Sequence, residues 1–172
     1  MKKLLIVVDY QVDFVTGSLG FPAALELEEK IVDRILDYEN NEDDVVFTLD
    51  THYENYSETL EGINLPVTHC VKNTLGHKLY GSVKDLSLMH RVFEKETFGS
   101  SKLFNYLIEN YYDEVELCGV VTNICVISNA VIVKSALPNA KIIINRELVA
   151  SNDKKLEEKA FSIMKNLHME II

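Results

Sequence analysis

Leu4-Leu5-Ile6-Val7-Val8-Asp9 is the stretch that decides the fold. Unbroken apolar residues with no polar alternation mark a strand covered on both faces. Such strands belong to parallel sheets flanked by helices. The run is far too short to span a membrane, and Asp9 closes it. It also lacks the small-residue cleavage site of a signal peptide, so a cytosolic protein is expected.

The same alternation continues along the chain. Val45–Asp50, Arg91–Lys95, Val115–Gly119, Lys141–Asn145 and Met169–Ile172 read as further strands. Leu27, Ile31 and Ile35 recur at helical spacing, which predicts an amphipathic helix from Ala24 to about Tyr38. Lys102–Asn110 reads as a helix. Thr122–Ala136 is apolar nearly all round and suits a buried central helix. Leu156, Ala160, Ile163 and Leu167 mark a last helix. Only the segment from Thr51 to about Gly81 shows few regular periods. Strand and helix in alternation imply an α/β fold, a three-layer α/β/α sandwich with a mainly parallel sheet of about six strands. The 172 residues fit one domain, 1–172, with its own core.

Composition removes several classes of function. The net charge is −10, with no basic stripe to offset it, so neither nucleic acid nor an anionic membrane is an expected partner. The acidic runs around Glu26–Glu29 and Glu39–Asp44 read as solvated surface. Three cysteines, Cys70, Cys118 and Cys125, form no secreted disulfide framework and are expected to be free thiols.

In parallel sheets ligands bind beyond the carboxyl ends of the strands. The first strand ends in Asp9. The second ends in Asp50, with His52 two residues on. The third ends in Lys95, and the fourth leads through Gly119 to Cys125. Each residue has a bland reading: a loop cap, a rim charge, a core thiol. Cys118, inside a strand, is read as core. Cys125 stands apart because Thr122 or Asn123 can cap the following helix. That places its sulfur in the first helical turn, where free N–H groups and the dipole favour a thiolate. His77, His90 and His168 have no matching partners and are read as surface residues.

Five blocks together resemble the isochorismatase-like hydrolases, and the nicotinamidases among them. They are Leu5–Phe14, Thr48–His52, Leu65–Cys70, Phe93–Ser100 and Gly119–Val126, in family order over most of the chain. The resemblance implies a catalytic triad of Asp9, Lys95 and Cys125. It implies an oxyanion hole from the backbone N–H groups of Val121 and Cys125, and a cis peptide between Val120 and Val121. It implies a divalent metal, Zn²⁺ or else Mn²⁺ or Fe²⁺, on Asp50, His52 and His69. Glu61 is the best match for a further carboxylate ligand, with Glu58 as the fallback. The substrate would be a small-molecule amide, nicotinamide first, cleaved through a thioester. A homo-oligomer is implied as well. Two departures stand out: Asn123 replaces an aspartate common in relatives, and there is no tryptophan to wall the substrate. Phe14 is the first candidate for that stacking role, with Tyr53 or Phe98 as alternatives.

Rival readings use other features. An N-carbamoyl or other small-amide hydrolase would keep the triad without needing an open metal position. Isochorismatase proper cleaves a vinyl ether and needs no cysteine. A non-catalytic small-molecule binder would have no use for an intact Asp-Lys-Cys set. A Cys-His hydrolase of the protease type needs a histidine beside Cys125, and only the metal candidates approach it.

Overall fold

The computed structural model describes residues 1–172. One six-stranded sheet runs through it, ordered β3-β2-β1-β4-β5-β6. The strands are β1 (Lys3–Val8), β2 (Asp44–Asp50), β3 (Arg91–Lys95), β4 (Glu114–Val120), β5 (Lys141–Ala150) and β6 (Glu170–Ile171). Every pairing is parallel. The α/β sandwich expected from the sequence is the architecture found.

The helices are α1 (Val12–Val15), α2 (Pro22–Leu25), α3 (Glu28–Asn40), α4 (Leu60–Asn64), α5 (Gly81–Leu86), α6 (Ser101–Asn110), α7 (Ile127–Ala136) and α8 (Lys154–Asn166). The alternation of β1 explains the layers. Leu4, Ile6 and Val8 face a core shared with Leu103 and Leu107 of α6, Val133 of α7 and Phe161 of α8. Leu5 and Val7 face the opposite core, shared with Ile31 and Ile35 of α3 and Val83 of α5. Both faces of the strand are dry, which is why its sequence shows no alternation.

Three elements differ from the sequence reading. The helix expected from Ala24 is two helices, because Pro22 starts a short turn that ends before Glu28 begins the long one. Strand β5 runs on to Ala150. The ladder passes from Leu117↔Ile144 to Gly119↔Val149, so the exposed Arg146 and Glu147 bulge out between two buried stretches. That charged pair makes the strand look finished at Asn145. The irregular segment carries a single 3₁₀ turn, Tyr56–Glu58, and α4.

Two of the strand ends that matter lie side by side at the centre. The order reverses around β1 and β4, where open α/β sheets leave a crevice for ligands. Gly119 permits their close approach. Its φ is +104°, and a Cβ there would lie 2.1 Å from the carbonyl oxygen of Val8. Asp9, just beyond β1, also has a left-handed backbone, φ +46°. Non-glycine residues hold that conformation at a cost, and such positions concentrate at functional sites.

Candidate active site

Strand register assembles the first half of the site. Asp50 pairs with Lys95 across β2 and β3, and Thr48 pairs with Val8, next to Asp9. The Lys95 ammonium therefore sits among three groups. Its Nζ lies 2.6 Å from Asp9 Oδ2, 3.3 Å from Asp50 Oδ1 and 3.5 Å from Cys125 Sγ, and it donates to the Thr97 carbonyl at 3.0 Å. The Thr48 hydroxyl donates to Asp9 Oδ1 at 2.7 Å. At Oδ2 the ammonium is close but off the hydrogen-bonding direction, which leaves a lone pair free on that oxygen. The carboxylate also faces the Cys125 thiol. All three of Asp9, Lys95 and Cys125 are buried, so the structure brings together the residues that the sequence singled out.

Burial dominates their protonation. It pushes the Asp9 carboxyl above its ordinary range, against the pull of Lys95. It would lower Lys95, but the anionic partners Asp9, Cys125 and Asp50 overcome it and raise the ammonium. Burial, reinforced by the Asp9 carboxylate, raises the Cys125 thiol well above its usual value. Burial thus works against the thiolate that a helix start favours. The expected side-chain cap is absent too. The residue before the helix is Val121 in an extended conformation, and the first turn, Thr122–Val126, is a π-turn. Thr122 and Asn123 lie inside the turn, past the cap position, and their side chains bond Glu157 and Ser151.

The peptide between Val120 and Val121 is cis, as the resemblance implied. The Val121 N–H donates to no group in the chain. Asn129, one turn after Cys125, donates to the Cys125 carbonyl at 2.8 Å and to the Phe98 carbonyl at 3.1 Å, and accepts from the Ser100 N–H at 3.1 Å. It ties the cysteine segment to the lysine segment.

The second half of the site comes from the loop. Asp50, His52, Glu61 and His69 present one ligand atom each, all within 4.8 Å of one another. His52 Nε2 lies 3.0 Å from Asp50 Oδ2 and 3.6 Å from Glu61 Oε1; His69 Nε2 lies 3.3 and 3.7 Å from the same oxygens. Glu58 is exposed and outside the group, so Glu61 is the residue that geometry selects. The donor set fits a divalent cation. His69 Nδ1 meets the Val67 carbonyl at 2.7 Å, which can only accept, so Nδ1 carries a proton and Nε2 is left for a cation. Without one, Nε2 needs a second proton to face two carboxylates. Burial and then the Asp50 carboxylate push Glu61 up, a repulsion that a cation would relieve. Burial works to raise Asp50 as well, but hydrogen bonds from His52 and His69, and the charge of Lys95, hold it well below the carboxylate range. Two imidazoles and two carboxylates suit Zn²⁺, Mn²⁺ or Fe²⁺.

This loop is pinned by groups that sequence reasoning missed. The buried Gln11 accepts from the Asp50 N–H at 2.8 Å and donates to the carbonyls of Asp50 and His77. Asp13 Oδ2 accepts from the Cys70 N–H at 2.7 Å, beside His69. His77 is not a surface residue: it is buried, and its Nε2 lies 2.8 Å from the Thr51 hydroxyl. His90 is half-buried against Glu39, at 2.7 Å. Only His168 is exposed as expected. Thr48 had a readable signal, since it shares a strand face with Asp50 at a spacing of two. Asn129 had one too, as an amide in an apolar helix four residues after Cys125.

Between the halves lies a pocket of about 180 Å³. Cys125, Val121, Asp50, Glu61 and His69 reach it, and Phe14, Leu19, Phe21, Leu65, Phe98 and Ile124 supply apolar wall. Phe14 and Phe98, the first candidate for stacking and one of its alternatives, both line this pocket. Tyr53 faces a neighbouring hollow instead, and Phe21 is an aromatic wall the sequence did not flag. No helix is long and apolar enough to cross a membrane.

A carboxylate, an ammonium and a thiol thus meet at the carboxyl edge of an α/β sheet, with the thiol opening onto a small, largely apolar pocket. The isochorismatase domain model matches residues 3–172, and the chain belongs to the isochorismatase family of hydrolases. Similar proteins include the isochorismatase family protein PncA of Bacillus subtilis, 33% identical over 164 residues, 88% of this chain and 87% of that one. The crystal structure of nicotinamidase PncA from Bacillus subtilis is 30% identical and superposes with a TM-score of 0.87 over 99% of each chain. The crystal structure of the pyrazinamidase of Pyrococcus horikoshii in complex with zinc is 28% identical, with a TM-score of 0.87 over 100% of this chain and 99% of that one.

Proposed function

We propose that this chain is a cysteine amidohydrolase that converts nicotinamide to nicotinate and ammonia. Cys125 is the nucleophile, Asp9 the general base and acid, and Lys95 the cation that balances them. The observation that carries this reading is the Lys95 ammonium, 2.6 Å from Asp9 and 3.5 Å from Cys125 in one buried cluster. The likeness to a nicotinamidase and a pyrazinamidase supports the choice of an aromatic carboxamide.

The chemistry follows from the resting thiol. Asp9 Oδ2 takes the Cys125 proton as the sulfur attacks the amide carbon. Lys95 keeps the pair near neutrality while charge moves from carboxylate to sulfur. The tetrahedral oxyanion is held by the N–H groups of Val121 and Cys125 at the helix start. Asp9 returns the proton to the departing nitrogen, and ammonia leaves a thioester on Cys125. Water, deprotonated by Asp9, then attacks the thioester carbon; the C–S bond breaks, the sulfur takes the proton back from Asp9, and the acid is released. Phe14 and Phe98 sandwich the ring and exclude solvent. A divalent metal, Zn²⁺ in the first place and Mn²⁺ or Fe²⁺ otherwise, would be held by Asp50, His52, Glu61 and His69 and would offer an open position for the pyridine nitrogen.

The test is ammonia release from a panel of small amides with wild type and Cys125→Ala. Nicotinamide should head the panel, and the variant should release none. Turnover of N-carbamoyl compounds in preference to nicotinamide would move the assignment to that branch of the family. Wild type inert on every amide would retire the amidase reading.

A further inference from the structure

The segment from Val121 to Cys125 does not hold itself. Its first turn is a π-turn in which the Val121 carbonyl accepts from the Ile124 and Val126 N–H groups at 3.0 and 3.2 Å, with no side-chain cap. Single π-turns are less well bonded than α-turns, and an uncapped start leaves the direction of the leading N–H groups unfixed. Yet the Val121 N–H must aim into the pocket if it is to meet an oxyanion. Something outside the segment has to set it.

The start of α8 does so. The Thr122 hydroxyl donates to Glu157 Oε1 at 2.8 Å, with both residues buried. The other oxygen, Oε2, takes Lys154 Nζ at 2.8 Å. One residue on, the Ser151 hydroxyl donates to Asn123 Oδ1 at 2.5 Å, and Ser151 is itself held by the Asp153 N–H at 3.0 Å. A carboxylate on the inner face of an amphipathic helix is costly to bury. Here the cost is offset by the bonds it accepts from Thr122 and Lys154.

We infer that Glu157, through the bond it accepts from Thr122, positions the Val121 N–H toward the oxyanion. Glu157 touches neither substrate nor sulfur, so it is a positioning residue. The inference rests on the amidase reading. It assigns Glu157 a cost in the transition state and none in ground-state binding.

Glu157→Ala should lower kcat about tenfold or more with KM within threefold, a fraction of what losing an oxyanion donor outright costs. Affinity for nicotinaldehyde, which becomes an oxyanion on adding to the thiol, should fall by the same factor. Binding of nicotinate, measured by calorimetry, should stay at the wild-type value. Glu157→Gln keeps an oxygen that accepts from Thr122 and should restore kcat to within about threefold of wild type. Lys154→Ala should match wild type. If Glu157→Ala does not fold, Thr122→Val removes the same bond from the other side and takes the same readings. Wild-type kcat in the variant that lacks the bond would overturn the inference. So would equal losses in the Ala and Gln variants, or aldehyde and acid weakened alike. Wild type that releases no ammonia would instead remove the amidase reading.

Discussion

The pocket has two rims built in different ways. Asp9, Asp50 and Lys95 stand at or just past the ends of β1, β2 and β3, and hydrogen-bonded register fixes their spacing. His52, Glu61 and His69 stand on the long connection between β2 and α5, where no ladder of more than one bridge reaches them. Their geometry depends instead on single pins: Gln11 on the His77 carbonyl, Asp13 on the Cys70 N–H, and the Cys70 carbonyl accepting from the His52 N–H at 3.0 Å. A sheet sets the spacing of its side chains through the ladder itself. A loop needs a buried polar residue for each constraint. The two rims should therefore fail differently: the strand rim in turnover, the loop rim in metal content and substrate binding.

The largest effect belongs to the strand rim. Cys125→Ala should cost about 10⁴-fold or more in kcat with metal content unchanged by elemental analysis. Asp9→Asn keeps the shape but loses the base, and should cost about 10²- to 10⁴-fold in kcat, with KM near wild type. If either variant instead lost metal and recovered on adding zinc, the division between rims would be wrong.

The loop rim should respond to metal. Gln11→Ala frees the Asp50 backbone and should weaken metal affinity about 10- to 100-fold, read by competition with a chelator, with activity restored by excess Zn²⁺. Activity that stays low at saturating metal would mean that Gln11 serves the strand rim after all. The smallest effect is expected at the wall. Phe14→Leu should raise KM about tenfold and leave kcat nearly unchanged, as loss of uniform binding does.

The same division governs what the sequence reveals. Strand ends are legible where a buried parallel strand is an apolar run and the polar residue that stops it is conspicuous: Asp9 and Asp50 are of this kind, while Lys95 ends an edge strand whose one buried apolar residue is Phe93. The loop ligands have no period to announce them. His69 and Glu61 came from resemblance alone, and nothing distinguished Glu61 from Glu58 until the chain was folded. His77 shows the reverse failure. It looks like an isolated polar residue, but it is buried, with its ring against the Thr51 hydroxyl and its carbonyl held by Gln11. Partners that are distant in sequence, such as Thr122 and Glu157, leave no local pattern. The protonation state of Cys125 was also out of reach. A helix start favours a thiolate, whereas burial raises the Cys125 thiol.

The central claim is covalent catalysis at Cys125, and acid-quenched mass spectrometry during turnover tests it most directly. Nicotinamide mixed rapidly with wild type should leave the mass of one nicotinoyl group on the peptide containing Cys125, and none on those containing the sealed Cys70 and Cys118. Steady ammonia release with no adduct on that peptide, or undiminished release from Cys125→Ala, would contradict the account.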